Sequence, residues 1–500
     1  SPGSPATPTR SWTSRPATPV VPSYPSTTPP PLSQPTAAIG AVPPTSPPVI
    51  QNFEVPGFTE PAVSEPPAAD GAAPAGEPAT AHRRGGSRRA LAVIAGVVAI
   101  GLIVGGVVWG LNQNPSSTPT ASASQTPAAL EPVLTEADVA GLASQSWVVS
   151  PTPPTPGTVH PVCIPAAAEG APVPDRTAEQ LITSTSTGTD SIKNVVETYA
   201  DAATAAKAYQ ERLVQAGTCP DTEALIVSSY TINNLADAAS GTQVRVQAAQ
   251  TEYHTLVISQ SGRNLSLVDV LTTEKSLGVS AAARVAAKPL ARLCSGGEGT
   301  CPGTLKVVRA LPAPGAAPGW LVEADLPRIT AGTGRWGATV PAKALTIVGS
   351  QCEAVNLQKV TGISDAAQRT LLLADDSAAP MGFGVDQVTY TFPGDTEAKK
   401  FVATVTSNLK LCPSRVPTAT VQTGATVKGT GADNAAITAS SFEVTQKTDA
   451  DGTFPYRVAI ITVGAKVGYL VANPSSTFDF TDGQWRDIVL RAGQRISQAA

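Results

Sequence analysis

The sequence predicts an α+β protein in which two tandem, disulfide-bonded units of antiparallel sheet plus helix follow a single transmembrane helix and a disordered, proline-rich N-terminal segment. Three observations predict this. The prolines crowd towards one end, with 21 of the 47 in the first 80 residues. One uncharged run of 22 residues, Ala90 to Leu111, stands directly behind a basic cluster. All six cysteines lie beyond that run, on a pattern that occurs twice.

Residues 1–81 mix Pro with Ser, Thr and Ala and show no apolar period. Such a stretch cannot bury enough surface to offset the entropy of ordering its backbone, so it is expected to be disordered. It starts on Ser inside low-complexity sequence, with no signal peptide before residue 82, which leads us to expect the C-terminal part of a longer protein.

The run 90–111 is long enough at the helical rise to cross a bilayer core about 30 Å thick. In lipid, a helix is the one local arrangement that satisfies its amides, even with glycines at 96, 101, 105, 106 and 110. The basic stretch 82–89 places Arg83, Arg84, Arg88 and Arg89 at its N-terminal end, and no Lys or Arg follows the other end before Arg176. The positive-inside rule then puts the N-terminus in the cytoplasm and the chain after residue 111 outside. The spacings Gly101/Gly105 and Gly106/Gly110 suit close helix packing and make a homodimer an expected partner state. A net charge of −4 gives no reason to expect nucleic acid.

A linker, 112–134, leads into the external part. Six cysteines confined to one side of a membrane suit an oxidising compartment. Zinc is not expected: no pair has the two-residue spacing, and only His160 and His254 lie on that side. Six cysteines allow fifteen pairings, and the repeat selects one. Trp147 precedes Cys163 by 16 residues, as Trp336 precedes Cys352. Cys219 follows Cys163 by 56, and Cys412 follows Cys352 by 60, each with Pro next. Between the members of each pair runs a strand, a turn and an amphipathic helix carrying Tyr209 or Phe401 towards the core. By symmetry Cys163 pairs with Cys219 and Cys352 with Cys412, leaving Cys294 with Cys301 across a flexible, glycine-rich hexapeptide.

Beyond Cys219 and Cys412 the pattern turns to hairpins. Segments 243–247, 253–258 and 264–270 in the first unit match 442–444, 456–461 and 467–472 in the second, with glycine turns at Gly262 and Gly464. Their alternation predicts antiparallel sheets with one face in water. Each unit closes on a helix, Val279–Cys294 and Trp485–Ser497, whose apolar stripe faces the sheet. The expected units are therefore 135–305 and 306–500, joined by the proline-rich segment Ala310–Gly319. That segment is expected to be semi-rigid and to give a groove between the units a defined shape, beside one candidate concavity in each unit; Tyr253 and Tyr456 are expected either near a binding surface or in core packing.

This layout resembles the actinobacterial receptor-type serine/threonine protein kinases with a PknH-type extracellular sensor domain. The resemblance rests on the Pro/Ser/Thr/Ala stretch, the Arg-flanked span 90–111, and the order cysteine, strand, helix, Cys-Pro, hairpins, helix, here present twice. It implies a kinase domain before the juxtamembrane segment, and an external α+β unit with a cleft for an unidentified extracellular ligand or envelope protein. The chain departs from the family in lacking any Gly-rich loop, His-Arg-Asp or Asp-Phe-Gly kinase motif. The run Asp479-Phe480-Thr481 only mimics the last. The duplication and the Cys294/Cys301 pair are further departures.

No catalytic residue, metal or cofactor is expected in this chain. His160 and His254 read as surface or core histidines, and the pairs Asp269/Glu274 and Asp479/Asp482 as solvated loop ends. Ser295–Gly299 reads as a disulfide loop, and Asn264-Leu265-Ser266 as an accidental glycosylation match inside a strand. The expectation is the signal-sensing part of a single-pass receptor. A membrane-anchored envelope scaffold is the alternative.

Overall fold

A computed structural model describes residues 133–499, apart from 152–153, 156, 187–188, 222, 296, 298 and 448–451. The expected disordered segment 1–81, basic run 82–89, span 90–111 and nearly all of the linker 112–134 lie outside the described residues. Among the described residues no helix is long and apolar enough to cross a membrane. All of them belong to one compact unit of the chain.

The architecture is α+β with two antiparallel sheets. The first sheet is built from β1 (Trp147–Val149), β2 (Arg176–Ser184), β3 (Ser191–Thr198), β4 (Ala224–Asn233), β5 (Ala238–Gln247), β6 (Thr251–Ser261), β7 (Asn264–Thr272) and β8 (Lys306–Ala310). Helix α1 (Ala202–Thr218) follows β3, and α2 (Val279–Ser295) follows β7. Across the sheet the order is β1-β2-β3-β7-β6-β5-β4-β8. Strand β8 lies on the second-unit side of residue 305 in sequence, yet it extends the first sheet by pairing with β4.

The second sheet repeats the plan. It contains β9 (Arg335–Ala338), β10 (Asp365–Ala374), β11 (Gly384–Thr391), β12 (Ala419–Thr423), β13 (Val427–Thr430), β14 (Ala436–Lys447), β15 (Thr453–Val463) and β16 (Lys466–Ala472). Helices α3 (Asp395–Lys410) and the single turn α4 (Cys412–Arg415) follow β11, and α5 (Asp482–Ser497) closes the unit. The order is β12-β14-β15-β16-β11-β10-β9, with β13 also on β14. Local chemistry sets the helix starts: Asp201 accepts the Thr204 N–H at 2.8 Å, and Thr481 and Gln484 form a reciprocal capping box.

Both faces of each sheet are covered, which corrects the expected wet face. Leu256, Ile258, Leu265 and Leu267 pack with Ala205, Ala208 and Tyr209 of α1. Val257, Val268 and Val270 point the other way, onto Ala282, Ala283, Ala286 and Leu290 of α2. In the second unit Val458, Ile460 and Tyr469 meet Ala398, Val405 and Leu409 of α3. Ala459, Ile461 and Leu470 meet Ile488, Val489, Ala492 and Ile496 of α5. The central strands are apolar at successive positions, as strands enclosed on both sides must be. Each fully buried Leu or Ile is worth roughly 2 kcal/mol of transfer free energy. Tyr209 is buried, as the sequence expects, and Phe401 packs on Tyr390 and Phe392.

The connecting segment is packed tightly between the units. Asp325 accepts Arg495 Nε at 2.9 Å, Arg495 Nη2 at 3.0 Å and Arg491 Nη1 at 3.3 Å, and all three side chains are buried or nearly so. Arg495 also donates to the carbonyls of Ala313 (2.6 Å) and Gly217 (2.8 Å), and Gln498 donates to that of Pro312 (2.6 Å). The linker passes so close to α1 that a Cβ on Gly217 would sit 2.3 Å from the Ala313 oxygen. Further on, Arg328 donates to the Gln247 carbonyl at 2.9 Å and pairs with Glu223 at 3.1 Å. The helix α5 of the second unit therefore holds the linker against the first.

Candidate functional site

A concavity of about 690 Å³ lies on the α1 side of the first sheet and uses the linker as one wall. Tyr209 and Leu213, one helical turn apart on α1, form its apolar side. The β4–β5 hairpin forms its base, residues 310–314 the opposite wall, and Thr300 a lip. The sequence reading put a groove at this linker; the structure places the cleft on the first unit alone, because the linker is clamped against it.

A β-bulge shapes the base. The register of β4 against β5 shifts between Ile226 and Ser228. Ile226 consequently packs in the α1 core while Ile232, six residues on, packs in the α2 core. Residues an even number apart share a face only in a regular strand, so the bulge has reversed the alternation. It turns Ser229 and Thr231 to the α1 side, into the cleft. The carbonyls of Ile226 and Val227 at the bulge accept Arg491 Nη2 at 3.1 and 3.4 Å. The hydroxyl of Ser229 is buried (7% exposed) and has no hydrogen-bond partner.

Among the described residues no Lys or Arg lines the cleft, and one acid does: Asp237, which accepts the Gly262 N–H at 2.7 Å, the Thr300 N–H at 3.2 Å and the Thr300 hydroxyl. Asn234 donates to the Thr304 carbonyl at 2.9 Å. These bonds and the Cys294–Cys301 disulfide fasten the lip to the end of α2. Tyr209 hydrogen-bonds Ser240 across the cleft base, and burial raises the tyrosine's pKa.

The six cysteines singled out in the sequence close as Cys163–Cys219, Cys294–Cys301 and Cys352–Cys412. Cys163, Cys219 and Asp221 come close enough to suggest a metal triad, but both sulfurs are tied in the disulfide and offer no thiolate.

A second, smaller hollow of about 330 Å³ is lined by Val162, Asp221, Glu223, Val246, Glu252 and His254. His254 Nδ1 lies 3.0 and 3.1 Å from the two oxygens of buried Asp269, which also accepts the Val162 N–H at 2.9 Å. Its Nε2 lies 3.4 Å from Glu252. Burial disfavours the imidazolium, but the Asp269 charge and these hydrogen bonds outweigh it and raise the His254 pKa. Burial likewise pushes Asp269 up, and the paired imidazole brings it below the usual carboxylate value. The orienting half of a hydrolytic triad is present, and among the described residues no Ser, Thr or Cys lines the hollow.

The remaining candidates are structural. His160 is exposed, its carbonyl accepting Lys193 Nζ at 3.0 Å. Asp479 and Asp482 do not face each other as an acid pair: both bind Arg457, at 2.9 and 3.2 Å, with Glu443 as a third partner. Glu274 is exposed and Asp269 buried. Asn264 is buried and accepts the Thr198 hydroxyl at 2.8 Å, which leaves no room for a glycan. Tyr456, expected near a binding surface, is buried with its hydroxyl 2.6 Å from that of Ser350; Tyr253 is half-buried. Sequence reading missed Ser229, Asp325, Arg491 and Arg495, since nothing local marks a bulge or a pairing across 166 to 170 residues. Compared with known proteins, the chain matches no family model, no curated protein and no solved structure.

Proposed function

We propose that the two external units recognise a ligand in the linker-walled cleft, as the sensing part of a single-pass membrane receptor. In this reading 90–111 crosses the membrane, 1–89 lies in the cytoplasm, and a serine/threonine kinase domain precedes residue 1. The observation that carries it is the cleft itself: concave and shaped by a bulge. The arginine clamp supports it further, because a wall held from the second unit gives the cleft a defined shape before binding. Among the described residues no constellation of nucleophile, base and oxyanion donors comes together.

The full chain, reconstituted in lipid nanodiscs, tests this with envelope extract and differential scanning calorimetry. A component that raises the melting temperature, and no longer does so after Leu213→Trp narrows the cleft, is the expected result. Extract components that bind the Leu213→Trp chain as well as the original would place recognition elsewhere. Topology is tested by labelling a cysteine introduced near residue 40 with an impermeant reagent in intact cells; labelling would overturn the cytoplasmic N-terminus.

A further inference from the structure

We infer that the cleft takes a neutral, hydroxyl-rich ligand, a short uncharged oligosaccharide, an inference that rests on the cleft being the recognition site. Charge decides first. A phosphate, carboxylate or sulfate entering a partly enclosed site must replace its hydration with donors, most often Lys or Arg, and among the described residues none lines this cleft. A cationic ligand would find one carboxylate among the described lining residues, Asp237, which is exposed at the rim and fixed there by two backbone N–H groups and a hydroxyl.

The uncharged groups are well matched to sugar hydroxyls. Thr231 is exposed in the cleft, and its hydroxyl can donate one hydrogen bond and accept two, as a sugar hydroxyl does. Ser240 already bonds Tyr209, and the partnerless Ser229 hydroxyl lies beneath the cleft surface. Leu213, half-buried beside Tyr209, offers apolar surface for the C–H face of a pyranose ring. A volume of about 690 Å³ is of the size that holds a small ligand rather than a protein surface. A purely apolar ligand would bury the Thr231 hydroxyl without a partner, and the site discriminates against it for that reason.

The full chain in nanodiscs, free of sugar-headed detergent, is titrated calorimetrically with three panels. These are neutral tetrasaccharides (of glucose, N-acetylglucosamine, galactose and arabinose), uronate tetrasaccharides of matched length, and uncharged proline-rich peptides. At least one neutral tetrasaccharide is expected to bind at least tenfold more tightly than its uronate counterpart. Thr231→Val, which removes the hydroxyl and little else, weakens that binding about fivefold. Leu213→Trp, and independently Thr231→Trp at an exposed position, abolish it; an unchanged melting temperature in either shows that the loss is not unfolding. If peptides or uronates bind instead, and lose binding in the tryptophan variants, the ligand class is wrong while the cleft remains the site. If neutral sugars bind but no cleft variant alters their affinity, the cleft is not the site and both readings fall. If no panel binds, both likewise fall.

Discussion

His254 in the first unit and Tyr456 in the second occupy the same place in the repeat, eight residues before the turn glycines Gly262 and Gly464. Their partners differ. On the neighbouring strand Asp269, opposite Leu256, is replaced in the second unit by Val471, opposite Val458. The second unit also buries an acid in its disulfide strap: Glu353, next to Cys352, accepts the Ser350 N–H at 2.8 Å, the Ser350 hydroxyl and the Tyr469 hydroxyl at 2.9 Å. Tyr456 completes that cluster through Ser350. Burial, reinforced by Glu353, holds the Tyr469 hydroxyl far above its ordinary pKa. In both units the strap over the sheet brings backbone N–H groups under cover, and a buried carboxylate satisfies one of them. The acid comes from either layer, and in the first unit it is paired with a histidine, His254.

The sheet edges differ too. In the first unit β4 runs ten residues with its bulge intact and carries β8 and the linker beyond it. In the second the equivalent edge is split into β12 and β13 around 424–426, where Gly424 lies against Ser441 closely enough that a Cβ would sit 2.5 Å from its hydroxyl. The cleft accordingly forms where the edge continues into the linker. Repetition of a fold has not meant repetition of a site.

Four experiments break or sharpen this contrast, beginning with the largest effect. Replacing Cys163 and Cys219 by Ala, or Cys352 and Cys412, removes loops of 56 or 60 residues and costs about 4 kcal/mol in either unit. Urea unfolding that shows one pair worth less than half the other would mean that the straps are not equivalent. Asp325→Ala leaves two buried guanidiniums uncompensated, for a loss of about 3 kcal/mol. It should split one calorimetric transition into two as the units uncouple, and a single unshifted transition would refute the clamp. Gln498→Ala gives up one hydrogen bond to the linker and should cost about 1 kcal/mol. Hydrogen exchange at residues 310–319 should rise more than elsewhere.

The fourth is pH dependence, read as amide-exchange protection of β6 and β7 against β15 and β16. His254 titrates higher folded than unfolded, so its contribution is complete below the ordinary imidazole value of about 6.5 and is lost as pH rises through the raised folded value. Asp269 titrates lower folded, so its contribution is complete above the ordinary 3.8 and is lost as pH falls through the lowered value. The pair favours the first unit in the window between. As pH rises from about 6.5 through the raised folded value of His254, protection of β6 and β7 should fall relative to β15 and β16, and His254→Phe should flatten that difference. A slope that survives the substitution would assign the titration to another group.

The repeat was legible because its signals are local. Trp147 and Trp336 stand at matched distances from their cysteines, the Gly262 and Gly464 turns separate paired apolar runs, and Asp201 and Thr481 start helices through neighbours three residues away. The central hairpin strands, the helices and the cysteine pairing expected from the repeat therefore follow from spacing, while outer strands such as β2, β4, β8, β10 and β12 lie outside those local signals. The wet sheet face did not survive: alternation in short windows hid that Leu256-Val257-Ile258 and Ala459-Ile460-Ile461 are apolar without interruption, a pattern that needs a layer on each side. What tertiary structure alone decided is the cleft. Ser229 faces it because of a one-residue register slip that no composition marks. The linker walls it because Asp325, Arg491 and Arg495 meet across 166 to 170 residues, and burying three charges together is stable only when all three arrive. Local propensity carries no information about such a meeting; packing of the whole chain does.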